Sequence, residues 1–211
     1  MLNWNIYKIN IYPFGGCIDF YKSLNKPIKE EFLILIGGYI TQGLYFLLIY
    51  ILYKNNLLGI YNYNIFKEYF IIIFIFNLLP IHPLDGSKLL SLLLYKIFSF
   101  NLTNKLKIIV SFITIFFLFS NYKYFISYNT LIIIVFLITK NLLEIKYNKY
   151  IFQKFLLERY LYNFKFNKTK IVKNSNIKKM RRNKKHIFYV NNKHITEKEM
   201  INRIYNNYDI L

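Results

Sequence analysis

The 211-residue sequence has no alanine, a single cysteine, four prolines and only ten acidic residues. One cysteine, Cys17, can form neither an internal disulfide nor a cysteine cluster for a metal, so a disulfide scaffold is excluded. Cys17 reads as a small buried residue. Charge is also scarce, at 18% of residues, where an ordinary soluble domain carries about 25%. What fills the space is apolar: hydrophobic residues make up 55%, aromatics 20%, and the mean hydropathy is +0.25. Disordered and collagen-like chains are excluded by that content and by only seven glycines. A membrane protein is the economical reading. Ile, Asn, Lys, Tyr and Phe dominate and share A/T-rich codons, so part of the composition reflects the genome and not the fold.

The ten acids face 29 Lys and Arg, for a net charge of +19. Of these, 18 cations and five acids lie in Lys140–Leu211, which therefore carries +13. A basic tail behind apolar spans marks the cytoplasmic side of a membrane. Nucleic acid is not expected as a partner.

Phe32–Tyr53 runs 22 residues without a charge, enough to cross about 30 Å of hydrocarbon. A second apolar stretch, Tyr69–Ile81, runs into His82-Pro83-Leu84-Asp85-Gly86 and resumes at Leu89–Phe98. Ile108–Phe119 and Phe125–Thr139 are two further blocks, both short for a span, so tilt or bilayer thinning is needed. The expected fold is mainly α, a polytopic membrane protein of about four transmembrane helices. Ahead of them, Ile6–Ile11 alternates with period two, Pro13-Phe14-Gly15-Gly16 makes a turn and Cys17–Phe20 returns, which predicts a β-hairpin. Met1–Gly16 lacks the apolar core of a signal peptide. Behind them, Ile151–Tyr162 has helical spacing, Lys165–Lys185 reads as a basic linker and His186–Val190 as a strand. Thr196–Asn206 reads as a helix with Thr196 and Glu199 forming a capping box. The division is residues 1–30 as hairpin and entry segment, 31–140 as membrane core, and 141–211 as a cytosolic α/β tail too short to hold much core of its own.

Asp85 carries the strongest chemical signal. A carboxylate within an apolar run costs roughly 2.5–3.5 kcal/mol on insertion scales, so it needs a partner or a task. Around it stand Asn77, Pro80, Pro83 and Gly86, residues that open a helix, and Asn77 offers both a donor and an acceptor to an extended peptide. Two readings stand open: Asp85 ligates a metal, or it caps a helix starting near Ser87. His82 reads as an interfacial hydrogen-bonding residue rather than a ligand, and His186 and His194 as surface residues. Tyr12, Tyr45 and Tyr50 suit interfacial belts.

The run Asn77-Leu-Leu-Pro80-Ile-His-Pro83-Leu-Asp85-Gly86-Ser87 resembles the N-P-x-x-P-x-D-G region of site-2-protease-type intramembrane zinc metalloproteases, peptidase family M50, and their sporulation branch in particular. Tyr12–Gly16 is similar to that branch's hairpin after the catalytic helix, Asn25–Phe32 to its entry to the next span, and Phe155–Tyr160 to its post-membrane helix. The resemblance implies a metalloendopeptidase cutting a membrane-associated protein, a sigma-factor precursor in sporulation, with regulatory membrane proteins and lipid as partners. It implies zinc as cofactor, held by two histidines of an H-E-x-x-H helix and by the aspartate matching Asp85, with the glutamate of that motif as general base. Asn77, Pro80, Pro83 and Gly86 then shape the substrate path, and Pro13, Phe14, Gly15 and Gly16 form the hairpin. Two departures stand out. His82, His186 and His194 are the only histidines and none has the H-E-x-x-H spacing, so an N-terminally truncated copy and a chain completed by a partner are both expected to be inactive alone. Gly37-Gly38-Tyr39 stands where relatives commonly place a small residue, Gly and Pro. In the family's tail a cystathionine-β-synthase-type module senses nucleotide, and Lys184–Val190 resembles only its closing part.

Overall fold

The computed structural model describes residues 6–12, 15–20, 24–120, 128–166, 168–190 and 192–208. In chain order they form β1 (Ile6–Tyr12), β2 (Gly15–Phe20), α1 (Ile28–Lys54), α2 (Ile60–Leu78), α3 (Asp85–Ile97), α4 (Phe100–Ser120), α5 (Tyr128–Leu161), β3 (Thr169–Lys173), β4 (Lys185–Val190), β5 (Lys193–Thr196) and α6 (Glu197–Tyr208). The chain is mainly helical with small sheets. It divides into two compact units, one of residues 31–98 and 102–148, the other of residues 1–30, 99–101 and 149–211.

The first unit is built from α1 to α4 and the front of α5. α1 and α4 are the two described helices long and apolar enough to cross a membrane. Their outer faces stay apolar in the open, with Leu44, Leu48, Ile113 and Phe116 all more than half exposed, as on a helix that meets lipid all round. Just past the end of α1, Asn56 has a φ of 59°, the left-handed conformation that closes helices, and Leu57 N–H returns to the Leu52 carbonyl at 3.0 Å. α1 packs on α2 through stacked pairs, Phe46 with Phe70 and Tyr53 with Tyr63, each with centroids 4.4 Å apart. The expected interruption of the second apolar stretch is present: α2 stops at Leu78, and α3 starts at Asp85. The buried core of this unit, Ile81, Leu84, Ile115 and Leu137, includes two residues of the interruption itself. Residues 128–139 and 151–161, parts of two blocks read separately in sequence, belong to one continuous helix of 34 residues.

The second unit holds the hairpin and the tail. β1 and β2 pair antiparallel, with Tyr12 opposite Gly15, as the alternation requires; Pro13 and Phe14 lie outside the described residues, as do the side chains of Tyr12 and Cys17. In the tail, β3 runs parallel to β4 and β5 antiparallel to it, and α6 covers β4 and β5. The capping box forms: Glu199 N–H donates to Thr196 Oγ1 at 3.4 Å, and Thr196 N–H to Glu199 Oε2 at 3.2 Å.

Three readings of the tail need correction. The basic linker contains a strand, β3, whose single buried side chain, Val172, is hidden among lysines and leaves no alternation to see. The tail also has a real core: Phe100 stacks on Phe155 at 4.1 Å, and Phe155, Phe188, Met180 and Ile201 are all fully buried. And His186 is not on the surface but fully buried.

His186 sits in a charged cluster. Its Nε2 accepts from Arg181 N–H at 3.0 Å, so the ring proton lies on Nδ1, which donates to Glu197 Oε1 at 2.7 Å. Burial lowers the His186 pKa below the ordinary 6.5, against the pull of Glu197. For Glu197, burial acts upward, but the His186 hydrogen bond and the Arg159 charge outweigh it and hold the carboxyl below 4.5. Both folded values lie below the unfolded ones, so the unfolded chain takes up protons first as the pH falls. The tail is therefore expected to lose stability as the pH drops below 6.5, through His186, and again below 4.5, through Glu197. A His186→Asn variant, which keeps a donor toward Glu197, is expected to flatten the upper of the two steps. Thermal unfolding of the detergent-solubilised chain against pH reads both; a wild-type midpoint unchanged across pH 6.5 contradicts the assignment.

Candidate functional site

The interruption between α2 and α3 is where backbone groups would go unpaired at membrane depth, and such a break survives only if neighbours satisfy it. Here each neighbour can be named. Ile81 N–H bonds the Leu79 carbonyl and Leu84 N–H the Ile81 carbonyl, both at 2.8 Å. Ser111 of α4, fully buried, does double service: its Oγ accepts from His82 N–H at 2.9 Å and donates to the Pro80 carbonyl at 3.1 Å. Asn141 of α5, also fully buried, donates from Nδ2 to the His82 carbonyl at 2.9 Å. Pro80 and Pro83 have no N–H to satisfy. The His82–Pro83 peptide is cis.

Gly86 fixes how closely the two helix ends approach. A Cβ there would run into the backbone of Leu78 and Leu79, so the first turn of α3 lies directly against the end of α2, and only glycine fits. Ser87, buried beside it, donates to the Leu84 carbonyl at 2.9 Å.

Asp85 is thereby presented as the first residue of α3. It does not cap the helix, because the cap position is Leu84. Its carboxylate lies in the first turn, where the helix dipole favours negative charge, and pairs with Lys88 Nζ at 2.8 Å while more than a third exposed. Of the other residues singled out in the sequence, Asn77 ends on α2, half-buried, its carbonyl accepting from Tyr39 Oη at 3.1 Å. Its side-chain amide has no hydrogen bond among the described residues. Pro80 and Pro83 are half-buried in the interruption. Gly15 and Gly16 open β2 in the other unit, and Pro13 and Phe14 lie outside the described residues.

Residues that sequence reasoning missed hold the site together. His82 Nε2 lies 3.1 Å from Glu144 Oε2, and Lys107 Nζ 2.5 Å from Glu144 Oε1, which ties α4 and α5 to the interruption. Tyr39 ties α1 to Asn77 through its hydroxyl. Lys107 and Glu144 could have been noticed as charges bordering apolar blocks, but no spacing reveals that they meet.

Catalytic zinc sites use three protein ligands and an open position. Among the described residues no group of three or more His, Cys, Asp or Glu could hold a metal. Asp85 faces Lys88, and His82 faces Glu144, so the two do not form even half a site. The donor set of the described residues does not by itself fit a catalytic zinc.

Residues 60–121, which contain α2, the interruption, α3 and α4, match the model of Peptidase family M50. The chain is also similar to Stage IV sporulation protein FB of Bacillus subtilis (strain 168), 33% identical over 106 residues that make up 50% of this chain and 37% of that protein. The match thus spans well under half the length of the relative. The resemblance first read from Asn77–Ser87 falls within this match: the segment 60–121 is similar to Peptidase family M50.

Proposed function

We propose that this chain is the Asp85-bearing part of a membrane-embedded, site-2-type zinc metalloendopeptidase that processes a sigma-factor precursor during sporulation. The observation that supports the reading best is the braced interruption of residues 79–84. It lies inside the matched segment and leads directly into Asp85, the first residue of α3. Four spans, with a reporter after Leu211 active on the cytoplasmic side, go with the basic tail.

In this reading Asp85 would be the third zinc ligand beside two histidines of an H-E-x-x-H helix, and zinc held there would supply an activated water. The chain's own residues do three things. Gly86 lets α3 start against α2 and so sets where the carboxylate stands. Ser111 and Asn141 hold the interruption so that Asp85 does not wander. The Asn77 amide, free of partners among the described residues, offers a donor and an acceptor to an extended substrate segment. Asp85 would have to leave its pair with Lys88 to hold a metal. That pair is partly exposed and worth little.

Without an H-E-x-x-H helix the chain is inactive. Co-expression with a membrane-associated sigma-factor precursor tests this: the chain alone is expected to leave the precursor intact. Supplying an H-E-x-x-H helix as a second polypeptide is expected to give cleavage that Asp85→Asn abolishes. Cleavage by the chain alone, or cleavage indifferent to Asp85→Asn, contradicts the proposal. A non-catalytic membrane scaffold that binds the precursor is the second reading, favoured by the pairing of Asp85 with Lys88; precursor capture with no cleavage in either arm selects it.

A further inference from the structure

The segment Lys178–Lys185 carries six cations in eight residues. One of them, Arg182, is buried and donates from Nη2 to the Lys26 carbonyl at 2.9 Å. Lys26 stands two residues before α1 begins. Within the same segment, the Met180 carbonyl accepts from the N–H of Phe100, the first residue of α4, at 2.9 Å. The two helices long and apolar enough to cross a membrane are α1 and α4. The cationic segment is therefore fastened by two hydrogen bonds to the places where both helices begin, which is headgroup depth for a spanning helix.

Its carbonyls are turned inward. Arg159, buried, donates to the carbonyls of Arg181, Arg182 and Lys184 at 2.9, 2.7 and 2.8 Å. That leaves Lys179 exposed, with Arg181 and Lys184 half-buried, and the parallel pairing of Thr169 with Lys185 and of Lys170 with His186 sets Lys170 of β3 next to the end of this segment. Among the described residues no carboxylate pairs with Lys170, Lys179, Arg181 or Lys184. Partial burial and the charges of Arg181, Lys184 and Lys179 together lower the Lys170 pKa, so these four cations feel one another without compensation. Four uncompensated like charges fixed at the mouth of membrane helices call for an anion located there.

We propose that Lys170, Lys179, Arg181 and Lys184 form a binding site for the phosphate of an anionic phospholipid, fixing the tail to the membrane surface. This rests on α1 and α4 entering a bilayer and not on the protease reading. A juxtamembrane cation contributes about a fivefold gain in affinity for an anionic surface, so replacing all four should cost more than about a hundredfold.

The full chain, purified in a neutral detergent, is mixed with equimolar phosphatidylglycerol and phosphatidylcholine, and retained lipid is counted by native mass spectrometry. Wild type should retain phosphatidylglycerol in preference. The variant K170Q/K179Q/R181Q/K184Q should lose that preference, while K170R/K179R/K184R, which keeps the charge, should hold it. A variant with Lys146→Gln and Lys149→Gln, cations elsewhere on the chain, should also hold it. Undiminished preference in the fourfold Gln variant overturns the proposal. So does displacement of the lipid by inorganic phosphate at matched ionic strength, which would make this a site for soluble anions. Displacement by a DNA duplex under those conditions would overturn it too, in favour of nucleic acid.

Discussion

Replacing Gly86 with alanine should destabilise the membrane unit by roughly 3 kcal/mol, as overpacking a close contact does when the obstacle cannot move. The obstacle is main chain, the carbonyls of Leu78 and Leu79, and not a side chain that can swing away. To relieve the clash α3 must retreat from the end of α2, and Asp85, its first residue, moves with it. Loss of stability and displacement of the carboxylate should thus come together. Gly43→Ala is the control: nothing lies within 4 Å of its added methyl group, and in mid-helix it removes a residue that disfavours helix by roughly 0.5–1 kcal/mol. Thermal unfolding in detergent should show a large fall for Gly86→Ala and none for Gly43→Ala. Equal behaviour of the two variants would mean that the close approach is absent.

The second large effect belongs to the tail. Arg159→Leu is expected to cost about 3–5 kcal/mol, the usual penalty for removing one partner of a buried ion pair. Its guanidinium bonds Glu197 at 2.9 Å and Asn25 Oδ1 at 2.6 Å as well as the three carbonyls of the cationic segment. Without it Glu197 stays buried opposite a neutral His186, and the three carbonyls lose their donor. Arg159→Lys should recover little, because an ammonium cannot spread donors over so wide an arc. Limited proteolysis of the full chain should cut the tail of both variants at protease concentrations that spare wild type. Resistance equal to wild type would contradict this role.

These two sites show what could be read from sequence and what could not. The interruption was legible because two prolines, an aspartate and a glycine inside an apolar run leave helix no way to continue. The hairpin and the Thr196 cap were legible because alternation and S/T-x-x-E spacing are local signals. Ser111, Asn141, Lys107 and Glu144 were not, since a polar residue in an apolar helix says that it needs a partner without saying which. Distances across 29 and 59 residues, from His82 to Ser111 and Asn141, are set by packing alone. β3 was hidden by its lysines, and His186 was misplaced because a basic neighbourhood in sequence says nothing of burial when Glu197 and the Arg181 amide await the ring.

Zinc content shows whether Asp85 is a metal ligand. The 211-residue chain purified alone should hold no stoichiometric zinc. The chain purified with a polypeptide carrying the H-E-x-x-H helix should hold one zinc per pair, lost on Asp85→Asn. One tightly held zinc in the chain alone, or a full complement in the pair despite Asp85→Asn, would show that Asp85 is not the third ligand.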